Sequence, residues 1–344
     1  MLPSVEALFL FAVAFVVPCV VIFASMPRYV RFLTSKGRLA TDVHKPQGNK
    51  VPSPAGPLLI LAIVAGEAAI YAINESSIPI AAICVVLVAG AVGLYDDLRG
   101  LGGVVKPLLL TLAAVPLILL ESVNQSLYTA QLYFPLVGAT GTHYIIFAIL
   151  IVASMPIASN AFNMLDAFNG ELSGFTVIAS IGLMIAIVFR AAYTPAFNYT
   201  RLAAVLPLAA TALCFYYYNR YPSRIFDGDS GSLTFGALFA TLAIIGGVEV
   251  AALVAVIPAV LNSYYILSSI RGFVEHKQMA ARPTFLADDG KLHASASSGA
   301  PTTLVRMILM REPMGEKELV RCILTLAAYA CVLSVLTSAM TWPL

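Results

Sequence analysis

Polar side chains recur at every third position of the segment 160–170, which reads NAFNMLDAFNG. Asn160 and Asn163, and then Asp166 and Asn169, lie three residues apart, so each pair shares one face of a helix. Amide and carboxylate oxygens beside a membrane surface suit a hard cation and the oxygens of a phosphate. A helix end closed by an Asn-Gly turn accounts for the same residues without any chemistry. Both interpretations stay open on this segment alone.

Two adjacent aspartates end an apolar run in the segment GLYDDLRGLGGVVK, at 93–106. Asp96 and Asp97 lie about 100° apart around a helix, so their carboxylates face different groups. Negative charge at a helix C-terminus opposes the helix dipole, which indicates that the pair has a further role. A glycine-rich turn then leads to Lys106, which begins the next apolar run. These residues favour a functional site over a solvated helix end.

A third polar segment, NRYPSRIFDGDSG at 219–231, combines arginines with acids. Arg224 precedes Asp227 and Asp229, and the serines that follow can begin a helix whose backbone amides face an anion. An Asp-Gly-Asp sequence is often only a turn. Its place beside two arginines and between two apolar runs favours a corner that binds a metal ion and phosphate.

Two longer polar segments add basic side chains. In 26–55, Lys45 is a candidate anchor for a lipid phosphate, although lysine is also common on any protein surface. In 271–318, His276 and Arg282 are candidates for holding a sugar diphosphate.

The segment 271–318 also carries a turn signal. Asp289-Gly290 predicts a hairpin with arms at 284–287 and 291–294. The Ser/Ala/Gly-rich residues 294–300 are typical of a flexible linker.

The composition places these segments in a membrane protein. The 344 residues are 60% hydrophobic and 11% charged, with a mean hydropathy of +0.88, whereas soluble domains carry roughly 25% charged residues. At about 20 residues per span, this length allows about ten helices and leaves little for a soluble domain. The net charge of +2 gives no reason to expect a nucleic-acid partner. We predict an all-α polytopic membrane protein: residues 1–344 form one catalytic transmembrane domain, with a small β-hairpin in the last cytosolic loop.

Basic residues fall almost entirely on one side of the predicted spans. The apolar runs lie near residues 4–25, 56–73, 78–95, 107–120, 143–158, 172–189, 202–218, 232–248, 250–270 and 319–341. Of the 20 lysines and arginines, all but Arg190 and Arg201 lie in alternate linkers or one turn into the last span. The positive-inside rule makes these linkers cytosolic and places both termini outside. They are 26–55, 96–106, 159–171, 219–231 and 271–318.

The position of the acids separates an enzyme from a transporter or flippase. A transporter buries ionisable groups near mid-membrane, on interrupted helices. Here nearly all acids lie at the cytosolic ends of the spans, and Glu67 is the one clear exception. We expect its side chain to form a hydrogen bond between two helices. The chain has no Ser/His/Asp grouping, HExxH motif or P-loop. Its carboxylates, amides and lysines suit Mg²⁺ with substrate phosphates, so the sequence predicts phosphoryl transfer at the membrane surface.

The motifs GLYDDLRGLGGVVK, NAFNMLDAFNG and YNRYPSRIFDGDSGSLTFG resemble those of the polyprenyl-phosphate N-acetylhexosamine-1-phosphate transferases. The resemblance covers nearly the whole chain. YNRYPSR, the LADDGKL hairpin and PMGEKELV are similar to the archaeal and eukaryotic dolichyl-phosphate GlcNAc branch, whereas GDSGSLTFG and Asp166 are similar to bacterial members. The combination indicates an archaeal-type enzyme. The spaced aspartate pattern of CDP-alcohol phosphotransferases is absent.

The resemblance implies a reaction and a role for each matching residue. Polyprenyl phosphate would attack the β-phosphorus of UDP-GlcNAc, releasing UMP and leaving polyprenyl-diphosphate-GlcNAc. UDP-MurNAc-pentapeptide or another UDP-N-acetylhexosamine is the alternative donor. Asn163 and Asp229 would hold Mg²⁺, with Mn²⁺ as a substitute, and Asp96, Asp97 and Lys106 would serve catalysis. The remaining candidates would bind substrate: Asn160, Asp166, Asn169, Lys45, Arg224, His276 and Arg282.

The expected partners are UDP-GlcNAc, a polyprenyl or dolichyl phosphate and membrane lipid, with a homodimer left open. The expected location is a cell membrane with the site facing the cytosol, and the ER membrane is the alternative.

We expect the reaction to proceed without a general base that deprotonates the acceptor. A phosphomonoester has its second pKa near about 6, so the acceptor is mostly dianionic at pH 7. We therefore expect Asp97 to act chiefly in orientation, while Lys106, Lys45 and Mg²⁺ offset the repulsion between two anions.

Overall fold

The computed structural model describes residues 4–45, 48–123, 127–193, 198–270 and 281–342, and 71% of these residues are helical. The helices are α1 (Val5–Ser35), α2 (Gly56–Ile73), α3 (Ser77–Arg99), α4 (Val105–Leu110), α5 (Val115–Val123), α6 (Tyr144–Leu165), α7 (Glu171–Ala192), α8 (Tyr199–Ala203), α9 (Val205–Asn219), α10 (Asp229–Gly246), α11 (Glu249–Ala255), α12 (Ile257–Ile270), α13 (Leu304–Leu309) and α14 (Glu316–Thr341).

Three two-stranded antiparallel hairpins lie between the helices. They pair β1 (Leu39–Thr41) with β2 (Lys50–Pro52), β3 (Tyr133–Phe134) with β4 (Gly138–Ala139), and β5 (Thr284–Leu286) with β6 (Leu292–Ala294). The third confirms the hairpin predicted around Asp289-Gly290, and Gly290 has the positive φ of +74° that such a turn requires. The other two were not predicted, because their strands are only two or three residues long and carry no extended alternation of apolar and polar residues.

Within the described residues, nine helical segments are long and apolar enough to cross a membrane, and the bent pair α11–α12 makes a tenth if it forms one span. The prediction of about ten spans in an integral membrane protein is therefore confirmed. The predicted single span at 250–270 is wrong in detail, because α11 and α12 meet at a 70° bend. The fourth span is also irregular, since a 3₁₀ turn at Thr111–Ala114 separates α4 from α5.

Helix α10 lies at the centre of the bundle, with 94% of its span buried, and it packs against α3 and α6. Glycines allow this close approach. A Cβ atom on Gly93 of α3 would lie 2.5 Å from the Asp229 carbonyl oxygen, and one on Gly236 of α10 would lie 2.5 Å from the Ala158 carbonyl oxygen of α6. Association of helices in a bilayer relies on van der Waals contact between small residues. These contacts bring the end of α3, the end of α6 and the start of α10 together.

Two smaller expectations are wrong. Glu67 is fully buried in α2, yet neither carboxylate oxygen has a hydrogen-bond partner among the described residues, so the expected helix–helix hydrogen bond is absent. Residues 294–300 are not a loose linker. The Arg306 guanidinium donates to the carbonyl oxygens of Ser295 at 3.1 Å, Ser297 at 3.0 Å and Ala300 at 2.6 Å, which ties the segment to α13.

Candidate active site

The carboxylate of Asp97, in the last turn of α3, caps the N-terminus of α10. It accepts hydrogen bonds from the backbone amides of Asp229 at 2.8 Å and Ser230 at 3.0 Å, and from the Ser230 hydroxyl at 2.6 Å. The α10 cap residue, Gly228, has no side chain that could do this. A carboxylate satisfies the unpaired amides of a helix start and also opposes the positive end of the helix dipole. Asp97 therefore fixes the position of Asp229.

Lys106 connects the other aspartate of the pair to α10. Its Nζ forms an ion pair with Asp96 Oδ2 and a second one with Asp229 Oδ2 at 2.7 Å. Asp96 Oδ1 also accepts a hydrogen bond from the amide of Leu101, just beyond the α3 terminus, where Gly100 turns the chain at a φ of +74°. Asp96 and Asp97 thus face different groups, as their angular separation predicted.

Asn163 joins the same cluster from α6. Its side-chain amide donates to Asp229 Oδ1 at 2.7 Å and to the Ser232 hydroxyl at 2.8 Å. Asn160, one turn earlier, donates to the carbonyl oxygen of Pro156 within its own helix. The structure therefore brings Asn163 into the cluster and leaves Asn160 outside its hydrogen-bond network.

Asp166 and Asp227 form a second acidic pair beside the first. Asp166 follows the last residue of α6, and Asp227 lies in the loop before α10 and is only 2% exposed. Burial raises the pKa of Asp166 to about 7, with added repulsion from Glu171, Asp229 and Asp97. Burial, followed by the adjacent Asp166 carboxyl, raises the pKa of Asp227 well above its usual value. Two carboxyls in hydrogen-bond contact hold one proton between them more readily than two negative charges.

The donor set fits a magnesium ion. Asp229 and Asn163 offer a carboxylate and an amide, which with substrate phosphates and water is the typical coordination of Mg²⁺. The surrounding charge favours a cation, because Asp96 and Asp229 share the single charge of Lys106 while Asp97 lies against the backbone of Asp229. Within the described ranges no group of three or more His, Cys, Asp or Glu side chains has metal-binding geometry, so a bound ion would need the amide and substrate oxygens as well.

A separate polar cluster surrounds Lys45 and Asn169. Lys45 forms ion pairs with Asp42, at 3.5 Å, and with Glu316 at the start of α14. The Asn169 side-chain amide donates to Asp42 Oδ2 at 3.1 Å, and its backbone amide donates to Glu316 Oε1 at 3.1 Å. The ring of Tyr221 lies 4.1 Å from the Lys45 ammonium. The structure therefore joins two predicted substrate-binding residues, although the 26–55 loop and Asn169 are far apart in sequence.

A cavity of about 280 Å³ opens next to this cluster. It lies between the β1–β2 loop and the third hairpin, and its lining residues are Val43, His44, Lys45, Arg282, Thr284, Phe285 and Leu286. His44 stacks on Phe168 with 4.3 Å between ring centroids. Arg282, expected to hold the sugar diphosphate, thus shares a cavity with Lys45, which was expected to anchor the lipid phosphate.

The two remaining candidates are not part of these clusters. Arg224 stacks over Tyr217, with its guanidinium carbon 5.2 Å from the ring centroid, and the described residues give its side chain no contact with the aspartates. His276 lies outside the described residues, so its predicted role stays a prediction.

The structure adds four residues to the sites that were not among the candidate site residues: Asp42, Glu316, Ser230 and Ser232. Glu316 was seen only within the PMGEKELV motif, because an acid in the first turn of a helix usually serves as a cap. Its contact with Asn169 spans 147 residues of sequence, and no local pattern signals such a contact. The serines of GDSGS were interpreted as a helix start, which is correct, but their pairing with Asp97 and Asn163 depends on the tertiary fold.

An apolar groove of about 350 Å³ lies on the bundle where the fourth span meets α6. It is lined by Thr111, Ala148, Ile149, Val152, Ala153 and Pro156. Among these lining residues only Thr111 has a hydroxyl group. It donates a hydrogen bond to the Leu108 carbonyl oxygen at 2.7 Å, so its proton is not available to a ligand. Thr111 follows Lys106 by five residues, which is about 7.5 Å of helical rise. The groove therefore begins near the lysine of the acidic cluster.

Comparison with known proteins gives a consistent result. The sequence profile of glycosyl transferase family 4 matches residues 79–247. The chain is 30% identical to a putative glycosyltransferase of Methanocaldococcus jannaschii, over 86% of this chain and 87% of the relative. It is 30% identical to a putative UDP-N-acetylglucosamine–dolichyl-phosphate N-acetylglucosaminephosphotransferase of Saccharolobus solfataricus, over 64% and 66% of the two chains. A phospho-N-acetylmuramoyl-pentapeptide-transferase of Sulfurimonas denitrificans is also 30% identical, over 65% of this chain and 70% of the relative.

Proposed function

The chain belongs to glycosyl transferase family 4, and from this premise we propose that it transfers GlcNAc-1-phosphate from UDP-GlcNAc to a membrane polyprenyl or dolichyl phosphate. UMP is the second product, and the reaction begins the assembly of a lipid-linked glycan. The observation that carries the proposal is the position of Lys106, which bridges Asp96 and Asp229 near the start of an apolar groove. Phosphate chemistry and the binding of a hydrocarbon chain meet at that point.

The apolar groove suits the isoprenoid chain of the acceptor. A prenyl chain has no hydrogen-bonding groups, and the groove offers it apolar walls at Ala148, Ile149 and Val152. The chain enters this groove from lipid and not from water, so van der Waals contact with these walls favours its binding. With the chain in this groove, the acceptor phosphate lies at the Lys106 end, where the ammonium lowers the repulsion between acceptor and donor phosphates.

The reaction is a displacement at phosphorus. An oxygen of the acceptor phosphate forms a bond with the β-phosphorus of UDP-GlcNAc, and the bond between that phosphorus and the bridging oxygen breaks to release UMP. The acceptor oxygen is already ionised near pH 7, so no proton has to leave it. Positioning and charge neutralisation are then the main tasks, as in other phosphoryl transfers. Asp97 contributes by holding the start of α10, and Lys106 by holding positive charge beside Asp229.

Magnesium would be held by Asp229 and Asn163, with Mn²⁺ as a substitute. When bound, it would supply Lewis-acid neutralisation of the diphosphate charge. The Asn163 side chain contacts both Asp229 and Ser232, so it is already placed to present an amide oxygen after rotation of its terminal amide.

The donor would extend from the aspartates toward the basic cavity. Lys45, His44 and Arg282 border this cavity on the side of the β1–β2 loop and the third hairpin. Positive and aromatic side chains suit a nucleoside diphosphate and its sugar. The site would face the cytosol, where nucleotide sugars are available.

The test uses the purified full-length protein in detergent with MgCl₂, polyprenyl phosphate and labelled UDP-GlcNAc, and measures UMP release and labelled lipid. We expect both products in equal amounts and neither without acceptor lipid. UDP-MurNAc-pentapeptide serves as the competing donor, because one relative carries that activity in its name. If that donor alone yields UMP, the sugar assignment is wrong. If no UDP-N-acetylhexosamine yields UMP, the transferase proposal fails.

A further inference from the structure

Two arginines at the end of α9 share one tyrosine ring. The guanidinium carbons of Arg220 and Arg224 lie 5.4 Å and 5.2 Å from the ring centroid of Tyr217, within the range of a cation–π contact. Tyr217 is 43% exposed, and both arginines are exposed as well. Both positive charges therefore lie within cation–π distance of one exposed ring at the surface of the bundle.

Arg220 and Arg224 differ from the arginines of α1 in that their side chains donate no hydrogen bond to any described residue. Among the described residues, no ion pair involves Arg220 or Arg224. In contrast, Arg28 and Arg31 of α1 each donate to a carbonyl oxygen of their own helix. A guanidinium has five N–H donors and recognises phosphate with two of them at once. Two such groups beside one ring thus form a suitable binding site for a phosphate.

An apolar surface runs from this basic pair along the seam between α1 and α9. Phe23 of α1 meets Tyr217 edge-on, with 6.1 Å between ring centroids. About one turn further along both helices, Cys19 Sγ and Cys214 Sγ are 3.0 Å apart, so the two helices run side by side. In these stretches of the two helices, Val16, Val20 and Phe23 of α1 and Leu213 of α9 are exposed. Exposed apolar side chains on a membrane span contact lipid chains.

The basic pair lies at the same end of the bundle as the acidic cluster. Asn219, the last residue of α9, accepts a hydrogen bond from the Gly170 amide at 3.0 Å, near the end of α6. Tyrosine is enriched at the level of lipid headgroups. A phosphate at this height, above an apolar seam two helices wide, has the arrangement of a phospholipid with its chains along α1 and α9.

We propose that Arg220, Arg224 and Tyr217 form a binding site for the phosphate of an anionic phospholipid, whose acyl or isoprenoid chains lie along the α1–α9 seam. The site is separate from the acceptor groove, because that groove is lined by residues of the fourth span and α6. It also does not require the transferase reaction. Arg224, expected to bind substrate, is thereby assigned to lipid instead.

The experiment measures lipid binding directly. Full-length protein is delipidated in neutral detergent, titrated with phosphatidylglycerol or phosphatidylcholine, and analysed by native mass spectrometry for bound lipid. We expect wild-type protein to prefer phosphatidylglycerol. In the R220Q/R224Q variant the preference should fall about tenfold or more, since the variant loses the charge-assisted hydrogen bonds between guanidinium and phosphate. The R28Q/R31Q variant loses the same charge at the same end of the bundle and should lose less than twofold.

Further variants and competitors identify the ligand and guard against misfolding. R220K/R224K keeps the charge and should retain part of the preference, while Y217L should lower it, because the ring positions both arginines. Equal losses in R28Q/R31Q and R220Q/R224Q would show only a general basic surface and overturn the proposal. Displacement of phosphatidylglycerol by millimolar inorganic phosphate would indicate a free-phosphate site instead. Stronger binding of polyprenyl phosphate, lost in R220Q/R224Q, would assign the site to the acceptor and overturn the proposal too.

Discussion

At the scale of single residues, the hydrogen bonds of Asp97 argue against its acting as a base. Its two oxygens already accept three hydrogen bonds from Asp229 and Ser230. We predict that Asp97→Asn lowers kcat by a nearly constant factor from pH 7 to pH 9. The NH₂ group of the asparagine would face one of these three hydrogen-bond donors, so that hydrogen bond would be lost at every pH in this range. Loss of one charge-assisted hydrogen bond costs about 1.5–3 kcal/mol, or roughly tenfold to a hundredfold. The measurement is a pH–rate profile of UMP release.

The opposite result would restore the base. If Asp97 removed a proton from the acceptor, Asp97→Asn should recover tenfold or more toward pH 9, as the acceptor ionises by itself. General-base catalysis contributes typically 10²–10⁴-fold, so the recovery would be easy to measure. Lys106→Ala serves as the comparison and should be at least as damaging, because it removes the cation that bridges Asp96 and Asp229.

The pair formed by Asn163 and Asp229 carries the second prediction. Asp229→Asn and Asn163→Ala should each lower activity by at least about tenfold, and part of the loss should return at raised Mg²⁺, because weaker metal binding is offset by concentration. A titration of activity against MgCl₂ at saturating substrates measures this shift. The same variants in MnCl₂ show whether the second ion substitutes.

Asp227 provides the control for the metal prediction. It is buried, and its backbone carbonyl oxygen accepts the Gly56 amide at 2.9 Å, so it shapes the loop before α10. Asp227→Asn keeps that shape, and we expect a milder loss of activity with an unchanged Mg²⁺ requirement. An essential Asp227 together with a dispensable Asp229 would reverse the roles of the two aspartates in the Asp-Gly-Asp corner.

Residue types and local spacing were enough to predict part of the site. Asp96, Asp97, Lys106, Asn163 and Asp229 share one hydrogen-bonded cluster, and each stands in a short polar segment at the end of an apolar run. The identity of their partners could not be predicted. That Asp97 caps α10 while Asp96 pairs with Lys106 depends on how α3 is rotated against α10, and this rotation is set by packing at glycines.

At the scale of helices, the close contact between α3 and α10 gives the third prediction. A Cβ atom on Gly93 would lie 2.5 Å from the Asp229 carbonyl oxygen and 2.6 Å from Ser230 Cα, and backbone atoms cannot rotate away. Gly93→Ala should therefore displace the start of α10, lower stability by about 1–3 kcal/mol and reduce activity at least tenfold. Thermal unfolding in detergent and UMP release measure the two effects.

Gly102→Ala is the matched control for this prediction. Gly102 lies in the turn after α3, and its added Cβ would meet only the Val105 side chain, at 3.8 Å. We expect nearly unchanged stability and activity. A similar loss of stability and activity in both variants would mean that any glycine near Asp96 is sensitive to substitution. That result would contradict a specific role for the α3–α10 contact.

The helices themselves were largely predictable, because hydropathy alone marks a membrane span. The predicted run 56–73 coincides with α2, and 78–95 differs from α3 only at its ends. The bend between α11 and α12 was not predicted from hydropathy, because both halves are apolar; Pro258, the second residue of α12, is the sequence signal for it. Likewise, α1 continues ten residues past the predicted boundary at 25, because a helix can extend beyond the bilayer with polar residues in it.

At the scale of the whole molecule, the two ends of the bundle differ in chemistry. The acidic cluster, the Lys45 cluster and the basic pair at Tyr217 all lie at the end where α3 and α9 terminate. At the other end, Arg190 is buried: it binds the Gly247 carbonyl oxygen, donates to Thr129 and stacks over Tyr133 at 4.6 Å. A buried arginine bonded to the fold serves stability, so the chemistry is concentrated at one membrane surface.

The orientation of that surface is the last prediction. The charge asymmetry of the loops predicts that the end carrying the acidic cluster faces the cytosol. Single cysteines are introduced at exposed Lys36 and Asp288 on this end and at exposed Glu75 on the other, in an active variant whose five native cysteines are replaced. A membrane-impermeant maleimide added to intact cells should label only the cysteine at 75, and the other two should react after the membrane is opened. Labelling of 36 or 288 in intact cells would invert the topology, and it would place nucleotide-sugar binding on the side where no such donor is supplied.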